Sequence, residues 1–208
     1  MENFFGSDPK ITYALIKLED LLQLQIVAPH PDYELISKSK SRVLTHYQPI
    51  FSASHIPSLT KAEFHSFLLI KNNGHWDSLH RVGKYMTEDM ELLREALMIL
   101  VDERQPIQNR LNELRPERYW GEHSMVSHLG MPVLTAILQI FQPSKYGVWN
   151  NTSDFGLRRV KLWNQKWETQ NTGETYLEMN NIYLYLAKKL DIDLWTLDVL
   201  WWVLKKST

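Results

Sequence analysis

Apolar residues recur along most of this chain at intervals of three to four, the period of one face of an α-helix. Over residues 8–26, Leu15, Leu18, Leu21, Leu22 and Ile26 fall on one side and predict a first helix. Residues 28–59 break the rhythm. Pro29, Pro31, Pro49 and Pro57 interrupt them and residues 37–42 read SKSKSR, which predicts a loop-rich connector with a solvated basic run and at most one short helix. Thr60 and Glu63 then form a capping-box pair opening a helix that should stop near Asn72-Asn73-Gly74. Thr87, followed by Glu88 and Asp89, opens another, with Leu93, Ala96, Leu97, Leu100 and Val101 on its inner face. Pro106 suits the first turn of a short helix reaching Leu114. A Gly130-Met131-Pro132 turn leads into an apolar helix closed by a proline break at Pro143, and two more helices follow over 174–190 and 193–205. The expected fold is an all-α, compact multi-helix domain. A boundary near residue 59 divides it into an N-terminal helix with its connector (1–59) and a helical body (60–208), unless one domain runs throughout.

Composition narrows the function classes. The chain has no cysteine, which removes disulfides, thiolate zinc sites and cysteine nucleophiles. Its net charge of -1 gives no global attraction to nucleic acid, so any such binding needs a local patch. No apolar run reaches the length of a membrane span, and Met1–Asp8 lacks the pattern of a secretory leader. A cytoplasmic protein with no membrane partner is therefore expected. The glycine-rich phosphate loops and the Gly-x-Ser-x-Gly elbow are missing, and no cofactor is expected. His75, Asp77 and His80, with His123 and His128, do not share the spacing of a metal-binding helix face, so surface or capping histidines are expected and no metal. His75-Trp76, directly after the Asn72–Gly74 stop, is the unusual loop among these and a candidate lip of a cleft.

The run Gly130-Met131-Pro132-Val133-Leu134-Thr135-Ala136 resembles the helix-hairpin-helix signature of the DNA glycosylase-like superfamily, followed by a proline break at Pro143 and an aromatic run ending in Asn150. The wording of Pro143, Lys145, Tyr146, Trp149 and Asn150, and of Leu194, Trp195, Leu197 and Asp198, is also similar to helical domains of McrB-type restriction and other phage-defence proteins. Layout is shared over about residues 65–205, although only some ten positions carry it.

The resemblance implies DNA as partner. It gives Gly130 the left-handed position of the hairpin, makes Thr135 part of the motif, and puts Asn150 where the glycosylases carry a catalytic aspartate. Two departures matter. Pro132 stands at the second glycine and has no N–H for a phosphate. Asn150 is an amide that cannot act as a base near neutral pH, and with Asn151, Thr152 and Ser153 it reads first as a helix cap. Asp154 is the nearest displaced carboxylate.

After this segment, Arg158, Arg159, Lys161 and Lys166 interleave with Trp163 and Trp167, a pattern suited to phosphates and stacked bases. It fits equally two packed Trp beneath solvated cations, or an anionic protein partner. The leading expectation is a non-catalytic nucleic-acid-binding or accessory module, with Gly130, Thr135, Asn150, Arg158, Arg159, Lys161, Trp163, Lys166 and Trp167 at the interface and no catalytic residue assigned. The alternatives are a glycosylase-like enzyme and a protein-interaction subunit that docks through its Trp-rich C-terminus.

Overall fold

The computed structural model describes residues 8–115 and 124–207. Among them are eleven α-helices and no strand, an all-α architecture. The helices are α1 (Pro9–Val27), α2 (Pro31–Ile50), α3 (Lys61–Leu68), α4 (Ile70–Asn73), α5 (Gly83–Met86), α6 (Met90–Val101), α7 (Ile107–Leu114), α8 (Met131–Phe141), α9 (Asn151–Arg159), α10 (Thr172–Lys189) and α11 (Leu194–Lys206). Short 3-10 turns lie at Ile56–Ser58, Asp77–Val82 and Gln165–Glu168. No helix among the described residues is long and apolar enough to cross a membrane.

α8 is the central element. Nine of its eleven residues are buried, Gln139 among them. A helix apolar on all sides has no solvent face, so the others wrap it. α2 and α6 pack directly on α8, α7 crosses α6 and α10, and α11 lies against α9, α10, α2 and α1. One hydrophobic cluster runs from Ile11 through Val203, and the helices before residue 59 contribute Leu18, Ile36, Val43, Tyr47 and Phe51 to it.

Three expectations change. The connector is a twenty-residue helix, α2. Pro31 sits in its first turn, where a missing N–H costs nothing, and Pro49 in its last, while Ile36, Val43 and Tyr47 line the buried side at helical spacing. The SKSKSR run is therefore a helical segment rather than a loop, and its Lys40 pairs with Asp193 ahead of α11. Ile26 faces solvent, because the inner face of α1 is Ile11, Ala14, Leu18, Leu21 and Gln25. Finally, Trp195 and Trp201 are core residues and so do not form an outer docking face, while the half-buried Trp202 donates to Asp32 of α2 at 3.0 Å.

The helix ends follow the caps. Thr60 and Glu63 make both halves of the capping box. Asp89, two residues beyond Thr87, caps α6 by accepting from Glu91 N and Leu92 N. Gly74 ends α4 in the left-handed region at φ 71°, a geometry that favours glycine.

Carboxylates tie the loops to the helices, and this sets the response to acid. Burial pushes Glu103 up, but hydrogen bonds from Lys145 and Tyr146 and the Arg110 charge outweigh it and hold the group low. Glu178 is also pushed up by burial and then lowered on balance by Lys166, Trp167 and Gln170. Asp193 is lowered by Lys40 and Thr196 against its own burial. A carboxylate whose folded pKa is depressed adds stability above its unfolded pKa, and that stability is lost as pH falls through the folded pKa. The melting temperature should therefore fall progressively below about pH 4.5, the upper end of ordinary carboxylate values. Thermal melts between neutral and acid pH check this, and a flat profile would contradict it.

Candidate functional site

The site begins with the clamp at the end of α4. The Asn73 side chain is fully buried and accepts from His75 N at 2.9 Å and Trp76 N at 2.8 Å. Its amide nitrogen donates to the carbonyls of Phe67 and Trp76 at 3.0 and 3.1 Å. One side chain thus fixes the His75–Trp76 backbone and turns both rings towards α11. There His75 Nε2 lies 2.5 Å from Asp198 Oδ2, and Trp76 Nε1 donates to the same oxygen at 3.1 Å. A carboxylate oxygen only accepts, so Nε2 carries the proton of this bond. Trp195 packs against both rings, with centroids 5.5 and 5.4 Å away.

His75 and Asp198 are each only 4% exposed, so the pair is inside the protein and not on a solvated surface. His75 Nδ1 is buried without a partner. Asp198 Oδ1 receives no hydrogen bond from the described residues, which leaves it as an acceptor.

The opposite wall comes from the starts of α8 and α9. Thr135, fully buried, donates to Met131 O at 2.6 Å and accepts from Trp149 N at 2.9 Å. That bond hooks the strap before α9 onto α8. Asn180 and Tyr176 of α10 hold the strap at Gly147, each at 2.8 Å. Asn150 is delivered as the α9 cap, with Oδ1 accepting from Thr152 N and Ser153 N at 2.7 and 3.1 Å. Since the cap uses Oδ1, the amide Nδ2 is left as a donor. The capped N–H groups are already satisfied, so this helix start has little to offer an anion.

Between these walls lies a cavity of about 240 Å³, bounded by His75, Trp76, Asp77, Pro132, Asn150, Asp198 and Trp202, with Lys205 at its edge. Asn150, held by its cap, and Asp198, held by its two N–H partners, both line it beside the indoles of Trp76 and Trp202. No group of three potential metal ligands assembles among the described residues.

The structure brings His75, Pro132 and Asn150 into this one cavity and separates the basic stretch from it. Arg158 and Arg159 end α9, about 12 Å along its axis from Asn150. The Arg158 guanidinium stacks on Trp163, 3.8 Å from the ring centre, and pairs with Glu168. Lys161 lies over Tyr13 and Lys166 pairs with Glu178. Trp163 and Lys166 line a second cleft of about 640 Å³ against the first turn of α1 and the side of α10. It has no residue in common with the first cavity.

Two expected interface residues lie in the core. Trp167 is buried with its indole N–H on Glu178, so it has no face to offer a base. Thr135 is the hook described above. Gly130 caps α8 at φ -88°, not in the left-handed region, and it is His128, at φ 62°, that takes the left-handed turn ahead of the helix. Asp154 accepts from Trp149 Nε1 at 2.8 Å and does not line the cavity. His80 is exposed, whereas His75 is buried and paired, unlike a surface or capping residue. His123 lies outside the described residues.

No protein-family model, curated protein or solved structure matches this chain.

Asp198 is the cavity residue that the apolar pattern alone does not find. The signal was present, because Leu194, Leu197, Asp198 and Trp201 occupy one helical stripe and a carboxylate on such a stripe needs a buried partner.

Proposed function

We propose that this protein is a nucleic-acid recognition module that receives one unpaired base of DNA in the His75–Asn150–Asp198 cavity. The observation that carries the reading is the pairing, in one small cavity, of a carboxylate anchored by two N–H donors with an amide whose orientation is fixed by its cap. A base outside its stack is held by hydrogen bonds to its edge and by aromatic neighbours, and Asn150 Nδ2, Asp198 Oδ1, Trp76 and Trp202 supply both kinds of contact. The likeness of the Gly130–Asn150 layout to DNA-binding helical domains supports DNA as the carrier, and a restriction or defence complex as the setting. Asn150 acts as a cap and donor, in keeping with recognition and not with base removal. Arg158, Arg159 and Lys161 add a positive outer surface some distance from the cavity, suited to the phosphate backbone.

Fluorescence anisotropy on labelled duplexes that differ only by one unpaired base tests the reading. The native protein should prefer the duplex with the unpaired base, and Asp198→Asn should reduce the preference about tenfold, the loss of one charge-assisted hydrogen bond. Replacing Arg158, Arg159 and Lys161 together by Gln should weaken binding to all duplexes alike and flatten the salt dependence. Equal binding to paired and unpaired duplexes would remove the cavity from the reading. An unchanged salt slope in the triple variant would remove the basic surface.

A further inference from the structure

The chain contains a single Asn-Gly step, Asn73-Gly74, and it lies in the clamp that holds the His75–Trp76 wall of the cavity. Asparagine followed by glycine is chemically labile, because glycine has no side chain to keep its own backbone nitrogen from the asparagine amide carbon. In that reaction the Gly74 nitrogen gives up its proton to solvent base and bonds to Asn73 Cγ, while the Cγ–Nδ2 bond breaks and ammonia leaves. The cyclic imide then takes up one water. Opening at the side-chain carbonyl gives aspartate at 73, and opening at the main-chain carbonyl gives isoaspartate, with the chain routed through the former side chain. No oxidant or reductant is involved.

In the folded protein both reacting groups are engaged. The Gly74 N–H donates to Ile70 O at 2.7 Å. The Asn73 amide has no exposed surface and makes the four hydrogen bonds that fix the His75–Trp76 backbone. For reaction, Cγ must move onto the Gly74 nitrogen, which breaks those bonds. The step is therefore closed for as long as the end of α4 stays in place.

Neither product fits the space that the amide leaves. A carboxylate at 73 has no N–H for the carbonyls of Phe67 and Trp76, and its charge is buried against their two oxygens. Isoaspartate lengthens the backbone between residues 73 and 74, where Gly74 at φ 71° ends the helix.

We propose that Asn73-Gly74 is a one-way deamidation site, gated by opening of the end of α4, whose products keep the His75–Trp76 loop from returning to Asp198. A chain that opens here and reacts is withdrawn from the folded population. This holds whatever ligand the cavity takes.

Full-length protein incubated in mildly alkaline buffer, native or in guanidinium chloride, is followed at Asn73 by peptide mapping and mass spectrometry. Native chains should convert about a hundredfold more slowly than denatured ones, because a buried segment opens in only a small fraction of molecules. In guanidinium chloride, where the close approach of Ser39 to Gly74 no longer matters, Gly74→Ala should slow the conversion about tenfold. When denatured samples are returned to native buffer, chains converted at 73 should be depleted about tenfold from the refolded fraction, relative to unconverted chains of the same sample. Asn73→Asp should show the same refolding defect, whereas Asn109→Asp, at an exposed position of α7, should refold as the native chain does. Equal rates of conversion in native and denatured chains would overturn the gating. A native unfolding curve for Asn73→Asp would overturn the one-way step.

Discussion

Replacing His75 by Ala is expected to cost about 3–5 kcal/mol of unfolding free energy, the range for leaving a buried carboxylate short of a partner. The penalty arises on the other partner. Asp198 stays inside the protein with Trp76 Nε1 as its remaining donor to Oδ2, and the ring space against Trp195 is emptied as well. Asp198→Asn should cost much less, because an amide oxygen still accepts from both donors without an unpaired charge. Replacing both residues by Leu should recover much of the lost stability, since removing both partners of a buried polar contact in favour of apolar groups is often nearly neutral. Urea unfolding followed by circular dichroism separates these outcomes. If His75→Ala shifted stability by under about 1 kcal/mol, the pair would not anchor the loop, and the cavity would lose its fixed acceptor.

Arg110→Ala is expected to be comparably severe, again about 3–5 kcal/mol. Arg110 is a core residue that joins three loops and helices. Its guanidinium donates to Leu100 O at 2.5 Å, Glu103 Oε1 at 3.1 Å and Tyr146 OH at 2.7 Å. It thereby connects the end of α6, the first residues beyond it and the strap that leads to Asn150. Arg110→Met fills more of the space and should recover part of the loss while leaving Tyr146 and the Leu100 carbonyl a donor short. Because the strap positions Asn150, both variants should also weaken the preference for an unpaired base. Unfolding curves and the duplex assay, run on the same samples, check both effects. A variant that kept full stability would show that the network is not what holds the strap.

What could be read from the sequence follows from the range of each interaction. The α6 stripe, the Thr60–Glu63 box and the Asn150 cap depend on residues within one or two turns, and they are legible as spacing. α2 was hidden because its prolines look like breaks until their places in the first and last turns are known. Asn150 was legible as a cap, but its place in a cavity was not. The His75–Asp198 contact joins residues 123 positions apart, and no local pattern pairs them. Trp167 and Thr135 show the reverse error, where a motif suggested exposure and the tertiary packing placed both inside.

That long separation has a consequence for how the protein comes into being. One wall of the cavity is set by α4 and the loop after it, and the other by α8 and α9, but the carboxylate arrives on α11. A chain still emerging from the ribosome has no carboxylate in that space until α11 is released. The cavity therefore gains its carboxylate only when α11 docks, and a chain with α1 to α10 formed still lacks it.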